Sequence, residues 1–203
     1  MTDGVIKYTI EHTVFDARIP HDIYATLESV RSRLYALGVI GVYDDGIGYG
    51  NISVKDDQDH APFYITATQT GHLAQLGRSH YSKVTSYDFN TFTLHSKGHD
   101  KPSSEALSHA MIYELDPAIR AVIHIHSAPL WRFMIDKGHL STAAAYGTPE
   151  MTEEITGLYQ TSKPLEEPLF VMKGHEEGII VFGKSLKEAE IVLLGMIKKY
   201  LQD

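Results

Sequence analysis

Two histidines at alternate positions of an apolar run are the first residues here that could do chemistry. The run is Val122-Ile123-His124-Ile125-His126. On a strand, alternate side chains share a face, so His124 and His126 point one way while Ile123 and Ile125 enter the core behind them. Two neighbouring imidazoles suit one divalent cation and are awkward otherwise, because two cationic rings would repel. The plain alternative is a strand with two half-exposed histidines, since short motifs carry false positives. His175 is a third candidate, just after Phe170-Val171-Met172-Lys173-Gly174. The glycine before it permits a turn with little side-chain bulk. Taken alone, His175 reads as a turn histidine in a solvated KGHEEG loop. Taken together, three neutral imidazoles with an open fourth position make a common catalytic zinc arrangement.

Ser103-Ser104-Glu105 precedes an apolar run containing Ala106, Leu107, Ala110, Met111 and Leu115. If a helix begins here, its first N–H groups are unpaired and favour an anion. Two hydroxyls beside them would make a phosphate cradle, with Glu105 in the first helical turn. Simple N-capping, with Glu105 favoured by the helix dipole, is the competing reading. Gly50-Asn51 and Thr68-Gln69-Thr70-Gly71 are turn segments whose N–H groups could also face an anion. They are equally ordinary turn formers. The other nine histidines sit in polar stretches and read as surface, with His109 the one to watch because it shares a helix with Glu105.

The elements that must position these groups follow from periodicity. Residues 5–12 read as a strand with Ile6, Tyr8 and Ile10 on one face. Pro20 opens a helix whose stripe is Ile23, Leu27, Val30, Leu34 and Leu37. Short strands are expected at 39–43, 51–55, 63–68 and 120–126, with one or two more across 81–100. Leu169–Met172 and Ile179–Phe182 pair around the KGHEEG turn. Thr148-Pro149-Glu150 starts a helix, and Ser185 to Glu188 is a capping box for a last one carrying Ala189, Val192, Leu193, Met196, Ile197 and Leu201. Strands interleaved with four helices predict one α/β sandwich with a mixed or mainly antiparallel sheet.

Composition narrows the functions. The 203 residues are 43% apolar and 22% charged, ordinary globular usage, and fit one domain. A net charge of −8 argues against non-specific binding to nucleic acid or anionic lipid. There is no cysteine, so any metal site must use the 12 histidines and the carboxylates. Lack of cysteine fits a reducing, cytoplasmic setting. The N-terminus has no secretory pattern, and no apolar run approaches a membrane helix.

In chain order the motifs are Gly50-Asn51-Ile52-Ser53, Thr70-Gly71, Ser103-Ser104-Glu105, His124-Ile125-His126-Ser127, Tyr146-Gly147-Thr148-Pro149 and Gly174-His175. This series resembles the class II aldolase/adducin family, which includes fuculose-phosphate aldolase and ribulose-phosphate 4-epimerase, from about residue 22 to 201. The resemblance implies a three-layer α/β/α sandwich over the single domain 1–203, with an N-terminal extension at about 1–20. It implies a homotetramer with sites between subunits. It implies zinc, or another divalent metal, on His124, His126 and His175, with Glu105 as the acid/base. It places Asn51, Thr70, Gly71, Ser103 and Ser104 around a substrate phosphate. Tyr146 is the one tyrosine between His126 and Gly147 that could serve as a further proton donor.

The expected activity is that of a zinc-dependent aldehyde-lyase, cleaving a keto sugar phosphate through a metal-stabilised enediolate. Sugar-phosphate 4-epimerase, dehydratase and keto-acid phosphate decarboxylase reactions place charge at the same spot and stay open. A non-catalytic, adducin-like interaction module is the rival from another class, and bound metal separates it from the enzymes. Trp131, in the apolar segment 128–134, is expected either at a subunit contact or in the core.

Overall fold

The computed structural model describes residues 5–15, 19–56, 62–160 and 163–203. Residues 1–4 and 16–18 of the expected extension, and His60, lie outside the described residues. Among the described residues the main sheet has nine strands. These are β1 (Thr9–Val14), β4 (Asn51–Val54), β5 (Phe63–Thr66), β6 (Tyr81–Asp88), β7 (Thr93–Gly98), β8 (Ala121–His126), β9 (Ser141–Thr142), β10 (Leu169–Met172) and β11 (Gly178–Gly183). Their spatial order is β1-β7-β6-β5-β4-β8-β11-β10-β9. Only the β1–β7 and β9–β10 pairs are parallel; the rest are antiparallel. A separate hairpin joins β2 (Gly41–Val42) to β3 (Gly48–Tyr49).

Helices cover both faces. On one lie α1 (His21–Ala36), α3 (Ala128–Asp136) and α5 (Leu186–Gln202). Their Leu27, Leu34, Met134 and Leu193 pack on Ile52, Ile123, Ile125 and Ile179 of the sheet. On the other lie α2 (Ala106–Leu115) and α4 (Pro149–Leu158). Their Leu107, Ala110, Met151 and Ile155 pack on Phe63, Ile65, Val122 and Phe182. Odd and even residues of β8 thus feed different cores, as the pleat requires. The result is the expected three-layer sandwich around a mixed sheet. Among the described residues no helix is long and apolar enough to cross a membrane.

Several local expectations shift. The first strand begins at Thr9 rather than residue 5, because that is where its register with Thr93 of β7 starts. Ile6, Tyr8 and Ile10 do face the core. Leu37 is 54% exposed, as it stands at the C-cap of α1 where the helical stripe ends. Leu201, 74% exposed, likewise leaves the core side of α5 near the chain's end. Among the described residues there are five α-helices rather than four. The unforeseen α3 has Pro129 in its first turn and buries Leu130 and Met134, four apart. Trp131 sits on it, half-buried, and donates its indole N–H to the Met172 carbonyl at 2.9 Å.

Helix α2 is pinned to β4 by a buried polar chain. His109 Nδ1 lies 2.7 Å from the Ser53 hydroxyl, which lies 2.7 Å from the Tyr113 hydroxyl. All three residues are buried, so His109 is no surface histidine. Burial pushes its imidazole down to about 3. The folded protein therefore holds His109 neutral, whereas the unfolded chain takes up a proton below about 6.5. His109 supports the fold fully above that pH and progressively less as pH falls toward 3, at up to about 1.4 kcal/mol per pH unit. In urea unfolding at a series of pH values, wild type should lose its advantage over His109→Asn between pH 6.5 and 4. Parallel stability curves for the two proteins would contradict this.

Candidate metal centre and anion cleft

Strand β8 lies mid-sheet between β4 and β11, where it has no free edge. Its register sets His124 opposite Asn51 on one side and Ile180 on the other, with His126 opposite Gly178. His175 arrives from the turn between β10 and β11, held by its N–H to Met172 and its carbonyl to Gly178. Gly174 lets that turn pack. A Cβ there would stand 2.1 Å from the Ala143 carbonyl oxygen and 2.2 Å from that of Ala144.

One ring nitrogen of each of His124, His126 and His175 lies within 4.8 Å of the others. The rings are buried, with His124 at 0% exposure, so the picture of half-exposed strand histidines does not hold. His124 Nδ1 lies 3.2 Å from the Ile179 carbonyl. A carbonyl accepts only, so Nδ1 carries the proton, and in the neutral ring the lone pair lies on Nε2. That Nε2 lies 2.9 Å from His126 Nε2. Lone pairs facing at such range repel unless a proton or cation lies between them. Burial, then the neighbouring His124 and His175, hold His126 well below the usual imidazole range, and so neutral. Neutral imidazoles are the form that binds metal.

Glu105 completes the cluster. It occupies the N-cap position of α2 rather than the expected first turn, and makes no capping bond with its side chain. Instead Oε2 accepts from Asn51 Nδ2 at 2.7 Å and lies 3.0 Å from His124 Nε2. Oε1 lies 3.2 Å from His175 Nδ1. Burial by itself would raise this carboxyl; His124 and His175 outweigh it and hold it well below the usual range. A carboxylate and three imidazoles around one point form a donor set that fits a divalent cation. Asn51 Oδ1 is also buried without a hydrogen-bond partner, a polar atom left for a ligand.

The cluster forms one end of a cleft lined by residues 48–51, 67–71 and 103–105. Asn51, Thr70, Gly71, Ser103 and Ser104 all line it, so all nine candidate residues meet around one space. Gly71 permits the 67–71 loop to close on the β2–β3 hairpin, since a Cβ would stand 1.9 Å from the Gly41 carbonyl oxygen. Three supports escaped the sequence. Arg31, 1% exposed on the inner side of α1, donates to the Thr70 carbonyl at 3.1 Å and that of Ala74 at 2.9 Å. Its sequence signal is a cation among the α1 apolar positions. Tyr8 donates to the Ser103 carbonyl at 2.9 Å, and Lys7 places its ammonium 3.6 Å from the centre of the Tyr146 ring. Tyr146 packs on His175 with ring centres 4.6 Å apart.

Comparison with known proteins bears on the fold and the family. The chain is 27% identical over 163 residues to 3-oxo-tetronate 4-phosphate decarboxylase from Haemophilus influenzae, covering 70% of each. Among solved structures it superposes on YgbL from Klebsiella pneumoniae with a TM-score of 0.67 at 20% identity, covering 89% of this chain and 87% of that one. L-fuculose-1-phosphate aldolase from Thermus thermophilus gives 0.65 at 17% identity, covering 90% and 92%. The family profile of the Class II Aldolase and Adducin N-terminal domain matches residues 43–196. By that match, which spans most of the sheet and the whole histidine cluster, the chain belongs to the class II aldolase/adducin family.

Proposed function

We propose that this protein is a zinc-dependent lyase that cleaves a carbon–carbon bond in a phosphorylated keto substrate, with a keto sugar phosphate and an aldehyde product as the first reading. The observation that carries it is the buried convergence of His124, His126 and His175 on Glu105 at the end of a cleft rich in hydroxyl and N–H groups. A divalent cation held by the three histidines would supply Lewis-acid stabilisation of the negative charge that develops as the bond breaks.

The chain's own residues do the rest. Ser103 and Ser104, just ahead of α2, with Thr70, Gly71 and Asn51 across the cleft, receive the phosphate through N–H, hydroxyl and amide donors. This orients the carbonyl end toward the histidines. Glu105 moves the proton at the reacting carbon or its hydroxyl. Asn51 holds Glu105 Oε2 in place, so the carboxylate meets substrate in one orientation. Burial of the cluster excludes bulk water from the developing charge. A second reading, decarboxylation of a keto-acid phosphate, is favoured by the Haemophilus influenzae relative. It uses the same charge stabilisation with carbon dioxide as the leaving fragment. We further propose a homotetramer, as the family resemblance implies.

Four measurements check these readings. Zinc-reconstituted protein should carry about one metal ion per chain, and His124→Ala should lower that occupancy in elemental analysis. Absence of metal from both reconstituted and native protein would remove the basis of the proposal and favour an interaction module. Assays of keto-sugar phosphates and keto-acid phosphates for aldehyde or carbon dioxide release decide between the two reactions. Glu105→Gln should lower turnover by roughly 10²–10⁴ with folding and metal content kept; activity within a few-fold of wild type would exclude Glu105 as the proton carrier. Light scattering should report a particle several times the single-chain mass, and a monomer at micromolar concentration would contradict the tetramer.

A further inference from the structure

His124 is oriented by a backbone carbonyl, but His126 is oriented by side chains from two distant segments. Tyr43 Oη lies 2.6 Å from His126 Nδ1 and donates to Glu177 Oε2 at 3.1 Å. Tyr43 stands at the turn of the β2–β3 hairpin, where its N–H bonds to the Ile47 carbonyl and its carbonyl to Gly46. Tyr49 of the same hairpin packs against both rings, 4.5 Å from Tyr43 and 5.5 Å from His126 between centres. The hairpin lies outside the main sheet. Besides the continuation of β3 into β4, its link to the His126 end of β8 runs through these contacts, and the His126 N–H bonds to the Val39 carbonyl just ahead of β2.

The proton direction along this chain follows from acceptor chemistry. An ionised carboxylate only accepts, so the Tyr43 hydroxyl proton points to Glu177. The Tyr43 oxygen then accepts from His126 Nδ1–H, which leaves the lone pair on Nε2. That is the nitrogen facing His124 Nε2 at 2.9 Å. Glu177 has φ +67°, a backbone conformation that non-glycine residues rarely adopt. There its carbonyl accepts from the Ser127 N–H at 3.0 Å, so backbone and side chain both grip the His126 end of β8. Tyr43 and Glu177 also line a cavity of about 400 Å³ that includes His175 and Tyr146.

Resting on the metal reading given above, we infer that Tyr43 and Glu177 are positioning residues that hold His126 as its Nδ1–H tautomer and so set the affinity of the three-histidine site. A hydrogen-bonded partner on the far nitrogen fixes ring orientation and raises ligand basicity. Because Glu177 acts through Tyr43, removing both should harm the site no more than removing Tyr43 alone.

The test is zinc affinity of the full chain by chelator competition, with the visible spectrum of the cobalt-substituted protein as a second readout. Tyr43→Phe should weaken zinc binding roughly 10–100-fold and alter the cobalt spectrum. Glu177→Gly removes the acceptor while relieving the φ, so melting of the apo protein should stay level or rise while affinity falls roughly tenfold. Glu177→Gln keeps an acceptor oxygen and should stay within a few-fold of wild type. Equal zinc affinity in wild type, Tyr43→Phe and Glu177→Gly would overturn the positioning role while leaving the metal site intact. Additive losses in the double variant would overturn the relay from Glu177 through Tyr43. Wild type that takes up no zinc would overturn the metal reading itself, and this inference with it.

Discussion

Two imidazole nitrogens 2.9 Å apart in a buried site, with a third ring and a carboxylate closing on them, demand a rigid scaffold. His124 and His126 each keep the far nitrogen hydrogen-bonded, to the Ile179 carbonyl and to Tyr43 Oη, and a mobile strand could not hold both. A central position for β8 meets this demand, because neighbours on both sides fix its register. Glycines 174 and 178 supply the remaining room. A Cβ at Gly178 would stand 3.2 Å from His124 Cε1 and from His175 Nδ1. Crowding at both glycines shows that the site is built to close tolerances.

Behind the cluster a polar seam runs down the α2–β4 interface. Glu105, His109 and Tyr113 recur every four residues along α2, one beneath another. Asn51 and Ser53, alternate residues of β4, face them. Ile52 and Val54, the intervening pair, face the opposite core. A seam of this kind forfeits hydrophobic contact, and each buried group must be paired or it destabilises the fold. In exchange it holds the start of α2, and with it Glu105, at one height relative to His124.

The cleft beside the histidines is built from loops that are themselves tethered from below. Arg31 holds the 67–76 segment by two carbonyls, and Glu28 accepts from Leu76 N–H and Tyr81 hydroxyl. Tyr8 reaches from the N-terminal segment to the Ser103 carbonyl. Loops carry the cleft-lining groups, while α1, the sheet and the N-terminal segment remove their freedom.

The sequence by itself determined the elements with strong periodicity or punctuation. Alternation in Val122 to His126 placed two histidines on one face, and Ser185 to Glu188 and Thr148-Pro149 marked helix starts that the structure keeps. Motif order pointed to the family and to nine residues that the structure gathers in one cleft. Those signals are local, since side-chain period and capping depend on near neighbours only. What the far side of each imidazole touches was decided by the tertiary structure alone. Tyr43 lies far from His126 along the chain, and nothing in either local pattern announces the contact. His109 looks like a solvent-facing polar residue until α2 docks, and nothing local tells which carbonyls Arg31 will meet. Glu105 looks like a cap until the turn before α2 swings its carboxylate toward His124. Such contacts depend on long-range packing of whole elements, which no window of sequence contains.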